Sequence, residues 1–151
     1  MKIPNKPMLV LLLCLTTAAS YSQQKPDARP KLFAALPQTI KVNDTALKNA
    51  FNFFEGQTVT ITLADNLVFS GVVISNEVKY SNLQNIIIRS AVLNNALLSL
   101  SKIINADKTI SYTGRIINNK AFDGFEIKRN TEGQYSLQKF DNANIFQDCS
   151  Y

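Results

Sequence analysis

From residue 58 to residue 140 the chain is a succession of apolar runs of period two, separated by connections of only a few residues. No other feature constrains the fold as much. Parallel strands need crossovers of a dozen residues or more, so runs this close in sequence pair antiparallel. Thr58–Leu63 alternates strictly and is rich in β-branched residues, the signature of a half-buried strand. Leu67–Val78, residues 83–90, Ala96–Ile104, Thr109–Ile117, Ala121–Lys128 and Gln134–Phe140 read as six more strands. Turn-forming residues stand between them: Asp65 and Asn66, Asn94 and Asn95, Asn105–Lys108, Asn118 and Asn119, Thr131–Gly133. Gly71, Gly114 and Gly124 fall inside strands, where glycine marks a bend, a bulge or a close backbone approach. They predict a strongly coiled sheet, half-closed or closed into a barrel.

Ahead of the strands the period is helical. Leu47, Ala50, Phe51 and Phe54 form one apolar stripe, Asn43 or Asp44 offers an N-cap, and Gly56 fits a C-terminal stop. The predicted class is α+β, mainly β: an N-terminal helix packed on an antiparallel meander of about seven strands. The domain spans 42–140. Residues 23–41, with Pro26, Pro30 and Pro37, read as an extended, partly mobile leader whose Leu32, Phe33 and Leu36 could dock on the domain. Residues 141–151 read as a tail.

Residues 1–22 have the layout of a secretory signal peptide. Lys2 and Lys6 precede the apolar run Met8–Leu15, and small residues then lead to a cut before Tyr21 or Gln23. The apolar run is too short for the ~20 residues that span a bilayer, so no transmembrane segment is expected after processing. Leu13 before Cys14 argues against lipidation. The expected location is the periplasm or the exterior. Cleavage removes two of 16 basic residues and leaves 14 against 11 acidic ones, a net charge of +3. No basic cluster survives, which argues against nucleic-acid binding. Cys149 alone remains of the two cysteines, so an internal disulfide is excluded and the thiol is free or intermolecular; a homo-oligomer is compatible with either.

The chain has no His, which removes Ser-His-Asp and Cys-His catalysis and most zinc chemistry. Ser99 and Lys102 match an S-x-x-K string, but an offset of three places them on opposite faces of a strand. Asp123 and Glu126 are separated in the same way. Asp65, Glu77, Asp107 and Glu132 sit at turns or strand ends, and only convergence of Asp123 with Glu77 would make a carboxylate pair. Asn105 and Asp107 could hold an ion only weakly, and no glycine-rich phosphate loop follows a strand. No cofactor or metal is expected.

One sheet face collects Val59, Ile61, Leu63, Phe69, Ile86, Ile88, Leu98, Leu100, Tyr112, Ile116, Phe125, Ile127, Tyr135 and Leu137, the expected core. Phe69, Tyr112, Phe125 and Tyr135 could instead line a cavity for a small apolar ligand. The other face carries Val68, Val72, Ile74, Ile87, Leu97, Ile103 and Ile117 where a solvated face would be polar. Either bulges turn these residues inward or they form a contact surface, with Val72, Ile74, Ile87, Leu97, Ile103 and Ile117 as its candidates. The reading is a non-enzymatic exported binding module for a protein or a small apolar ligand. The alternatives are a small hydrolase using carboxylates or a Ser-Lys pair, and a structural component of envelope assembly.

The signal ending at residues 20–24 (SYSQQ), the abundance of Asn and Lys, the segment Gly114–Arg129 (GRIINNKAFDGFEIKR), the strand Gln134–Phe140 and the ending Gln147–Cys149 resemble uncharacterised small exported proteins of Bacteroidota. The resemblance covers about residues 55–150. It implies export and one intact domain, and no activity.

Overall fold

A computed structural model describes residues 29–141. Eight antiparallel strands and one short helix make up this part of the chain: β1 (Thr39–Lys41), α1 (Asp44–Ala50), β2 (Thr58–Ala64), β3 (Leu67–Tyr80), β4 (Leu83–Ser90), β5 (Ala96–Ile104), β6 (Ile110–Ile117), β7 (Asp123–Arg129) and β8 (Tyr135–Asp141). The strands form one sheet in the order β1-β8-β7-β6-β5-β4-β3-β2, curled into a half-barrel. From β2 to β8 each strand pairs with its neighbour in sequence, the meander expected from the short connections.

Two expectations are corrected. There are eight strands, and the helix is not N-terminal, because β1 precedes it. β1 is three residues long, too short to display a period, and it exists because β8 offers a free edge: Ile40 pairs with Leu137. The chain then crosses from one edge of the sheet to the other. The Val42 N–H donates to the Tyr135 carbonyl on β8 (3.0 Å), and the next N–H, of Asn43, donates to the Leu63 carbonyl on β2 (2.8 Å). At this corner the two edges of the half-barrel meet across two consecutive residues.

Asn43 also caps α1, its side chain accepting from the N–H groups of Thr45 and Ala46. The helix stops at Ala50, earlier than the stripe implied. The Asn76 amide of β3 donates to the carbonyls of Phe51 (3.1 Å) and Phe53 (2.6 Å), satisfying groups that a longer helix would have used itself. Phe54 thus leaves the stripe and is 70% exposed, while Leu47, Ala50 and Phe51 are buried against the sheet.

The concave face of the sheet and the helix enclose the core. Phe69, Phe125, Leu63, Ile86, Ile88, Leu98, Leu100, Ile116 and Leu137 are fully buried there. The curl needs close backbone contact at two inner positions: a Cβ on Gly71 would lie 2.2 Å from the Arg89 carbonyl oxygen, and one on Gly114 would lie 2.4 Å from that of Ser99. The described part of the leader, residues 29–38, is docked. Phe33 is buried edge-on against Phe125, with ring centroids 5.2 Å apart. The Lys139 ammonium donates to the carbonyls of Phe33 (2.7 Å) and Leu36 (2.5 Å). The signal segment, most of the 141–151 tail and Cys149 lie outside the described residues.

Candidate functional site

Strand alternation puts Ile87, Leu97 and Ile117 between buried neighbours, so all three project from the convex face, where they are half-buried. The register aligns Leu97 and Ile117 in one row, with Ile87 in the row beside it. Val72 stands opposite Arg89, Arg89 opposite Leu97, and Leu97 opposite Ile117, so one row crosses β3, β4, β5 and β6. Directly opposed residues on a sheet face have Cβ atoms roughly 5 Å apart, which makes this row a continuous surface. Val72 is 41% exposed, and Val68, four residues away on the same face of β3, is exposed as well.

A register shift does occur on β3, at Ile74: Val73 pairs with Ile88, but Ser75 pairs with Ile87. The shift reverses the alternation beyond it, so Asn76 and Val78 share the inner side with Ile86 and Gln84. It leaves Ile74 half-buried at the irregularity and does not turn Ile87, Leu97 or Ile117 inward. Ile103 is half-buried opposite Leu83 and Ser111, six residue pairs away from the row at the far end of β5.

At its β5–β6 end the row opens into a shallow depression of about 520 Å³, lined by Arg89, Asn95, Leu97, Ile117, Asn118 and Asn119. Two connections shape its rim. Asn94 and Asn95 both take left-handed backbone angles (φ 50° and 63°), which asparagine tolerates better than most residues. The buried Asn118 donates to the Asn94 carbonyl (2.8 Å) and accepts from the Lys120 N–H (2.8 Å), tying the β4–β5 turn to the β6–β7 connection. The floor is aliphatic and the rim is amide. The Arg89 side chain has no hydrogen-bond or ion-pair partner among the described residues, whereas that of Arg115 in the next row is held by Glu126 at 3.0 Å. The site therefore offers an apolar strip with one uncompensated positive charge.

The acidic residues are placed otherwise. Asp123 is fully buried at the start of β7 and accepts the N–H of Leu32 (2.6 Å) and of Phe33 (3.1 Å). Glu77 lies on β3, four places along the sheet from β7, and pairs with Lys79 at the surface. Lys79, with help from the Ser75 hydroxyl, holds the Glu77 carboxyl below the usual carboxylate range. Lys128 and Arg115 do the same for Glu126. Asp107 closes its hairpin by accepting the Thr109 hydroxyl (2.6 Å) and N–H (3.0 Å), and these bonds lower its pKa. No group of three metal-ligating side chains occurs among the described residues. Ser99 is on the convex face opposite Ile87, while Lys102 is opposite Gln84 and Tyr112 on the other side.

The four aromatic residues considered as cavity lining fill space. Phe69 and Phe125 have no exposed surface, Tyr135 is buried, and Tyr112 stacks on Phe51 (5.9 Å) and meets Tyr135 edge-on (5.8 Å). The Tyr135 hydroxyl accepts the Tyr112 N–H at 3.0 Å. Sequence reasoning did not single out Arg89, Asn95, Asn118 or Asn119 as site residues. Arg89 was within reach of it, because it follows Ile87 by two residues and so shares its face. The depression was not, since it depends on two connections meeting through Asn118.

No family model matches the chain, and neither a curated protein nor a solved structure proves similar to it. No helix among the described residues is long and apolar enough to cross a membrane.

Proposed function

We propose that the protein is an exported binding module, periplasmic or secreted, that acts without turnover through the convex face of its sheet. The observation that carries this reading is the row Val72, Arg89, Leu97 and Ile117: three aliphatic side chains in register on β3, β5 and β6, around the β4 guanidinium that nothing in the described chain neutralises. Water contact with such a strip costs about 25 cal/mol per Å² of apolar surface, and a partner relieves it by covering the strip. The lone positive charge selects a partner that brings an acidic group among apolar ones. The scattered carboxylates and the opposed faces of Ser99 and Lys102 support binding over hydrolysis.

The test uses mature protein immobilised against a bacterial envelope fraction, comparing wild type with Leu97→Ser, Ile117→Ser and Arg89→Glu. A component retained by wild type and lost with all three variants, at unchanged melting temperature, is the expected result. Equal retention by wild type and variants would overturn the assignment of the surface. Unfolding of Leu97→Ser and Ile117→Ser would show those residues to be core.

A further inference from the structure

β3 is twice as long as β2 and outruns it. Its pairing with β2 covers Leu67–Val72, and Val73 then exchanges backbone bonds with the loop before β2, donating to the Gln57 carbonyl (2.9 Å) and accepting from Gly56 (2.8 Å). Beyond Val73 no described residue hydrogen-bonds to the backbone on the outer side of β3. With β4, the segment 74–80 forms a two-stranded flap with one open edge. The root of the flap is fixed, because Asn76 bonds the end of α1 and accepts from the Gln84 amide at 2.9 Å. The edge is thus preformed. It is also apolar in unusual places: Val78 and Tyr80 are 70% and 69% exposed, and Phe54 projects from the loop that flanks Val73.

We infer that this edge pairs with the same edge of a second copy of the chain, antiparallel about a two-fold axis through Val78. An open strand edge is a template for another strand, and an interface on a two-fold axis must be complementary to itself. The order Glu77, Val78, Lys79 meets that condition in one register. With the axis through Val78, Glu77 faces the second copy's Lys79 and Lys79 faces its Glu77, while valine meets valine. An axis through Glu77 would oppose two carboxylates, and one through Lys79 would oppose two ammonium groups. Like charges directly opposed across strands are destabilising, so the sequence selects Val78.

The geometry accommodates the pair. Each strand turns back at Ser81 and Asn82, before it would reach the position on the other copy that Gln57 and Gly56 already occupy. Tyr80 then lies beside the second copy's Asn76, on the other face of the strand after the register shift, and about three residues or ~10 Å from Val73 and the Phe54 loop beside it. Three of the most exposed apolar side chains of the described chain gather in one interface. A second register shift, between Val78 and Tyr80, confines the regular facing pairs to Glu77–Lys79. So short an overlap falls below the ~800 Å² per partner of a standard interface, and the dimer is weak and concentration-dependent.

Sedimentation velocity of the mature chain, from micromolar to millimolar concentration with reductant present to silence Cys149, tests the inference. Wild type is expected to pass from monomer to dimer over that range. Lys79→Glu alone and Glu77→Lys alone each turn two attractive cross-strand pairs repulsive and should weaken association about tenfold or more. Mixed together, the two single variants should associate with each other, because every facing pair is then opposite in charge; no effect confined to one chain can produce that outcome. A wild type that stays monomeric throughout, or a mixture no more associated than its components, overturns the inference. Leu97→Ser, on the convex row, should leave association unchanged; if it abolishes the dimer, the interface is the convex row and not the β3 edge.

Discussion

Replacing Asp123 by Ala should cost stability and should release one identifiable segment. The Asp123 carboxylate is fully buried and accepts the backbone N–H groups of Leu32 and Phe33. Without it, two donors remain unpaired if the leader stays in place, at about 1–3 kcal/mol each, or roughly 2–6 kcal/mol together. The leader can instead let go. That exposes the Phe33 ring, whose burial is worth about 2–3 kcal/mol, and it gives up the two bonds from Lys139. The cheaper route sets the cost, so Asp123→Ala should lose about 2–5 kcal/mol. Asp123→Asn keeps one acceptor but can turn an NH2 toward the Phe33 N–H, and should lose about half as much. Urea unfolding at neutral pH gives the total. Native-state amide exchange shows its location: Leu32 and Phe33 should lose protection while Ile86, Ile88 and Leu98 keep theirs. A loss below ~0.5 kcal/mol with Leu32 and Phe33 still protected would refute the assignment of Asp123 as the anchor of the leader.

Leu47→Ala should cost about 2–5 kcal/mol, the range for a fully buried leucine whose cavity only partly collapses. Phe54→Ala in dilute protein should change stability by less than ~0.5 kcal/mol, since its ring lies outside the core; thermal unfolding of the two variants side by side checks both. Glu126 gives a pH dependence. Its carboxyl is held below the usual range, chiefly by Lys128 and then by Arg115, so the folded protein binds fewer protons there than the unfolded chain. Its contribution is complete above about pH 4.5 and fades as the pH falls through the lowered folded value. Melting temperature followed from pH 6 to pH 3 should therefore drop less in Glu126→Gln than in wild type, and added salt should narrow the gap.

The strands were legible because alternation and β-branching are local properties. Each run from Thr58 to Phe140 falls within a few residues of its observed strand. β1 was not legible: three residues carry no period, and Ile40 is a strand residue only because Leu137 lies beside it. The end of α1 was misplaced for a related reason. Phe54 continues the apolar stripe in sequence, but Asn76, over twenty residues away, takes the carbonyls and ends the helix. The site shows the same division. Ile87, Leu97 and Ile117 are convex by parity alone, while parity fails past Ile74, where one inserted residue exchanges the two faces of β3. The depression beside Arg89 needed Asn118 to join two turns that sequence reading treats separately.

The corner at Val42 and Asn43 also bears on when the molecule can become a folded object. Two neighbouring amides reach one to Tyr135 and the other to Leu63, so β1 waits for β8. Loop closure over nearly a hundred residues has to precede that contact, and folding slows as such distant pairings multiply. The meander can zip from β2 onward as it emerges, but neither the Phe33 dock nor the joined edges can form until residues 135–139 are available. For the export proposed here the delay is useful. If the chain is exported, it would reach a translocase with no completed half-barrel to undo, and β8 would lock β1 once both had crossed.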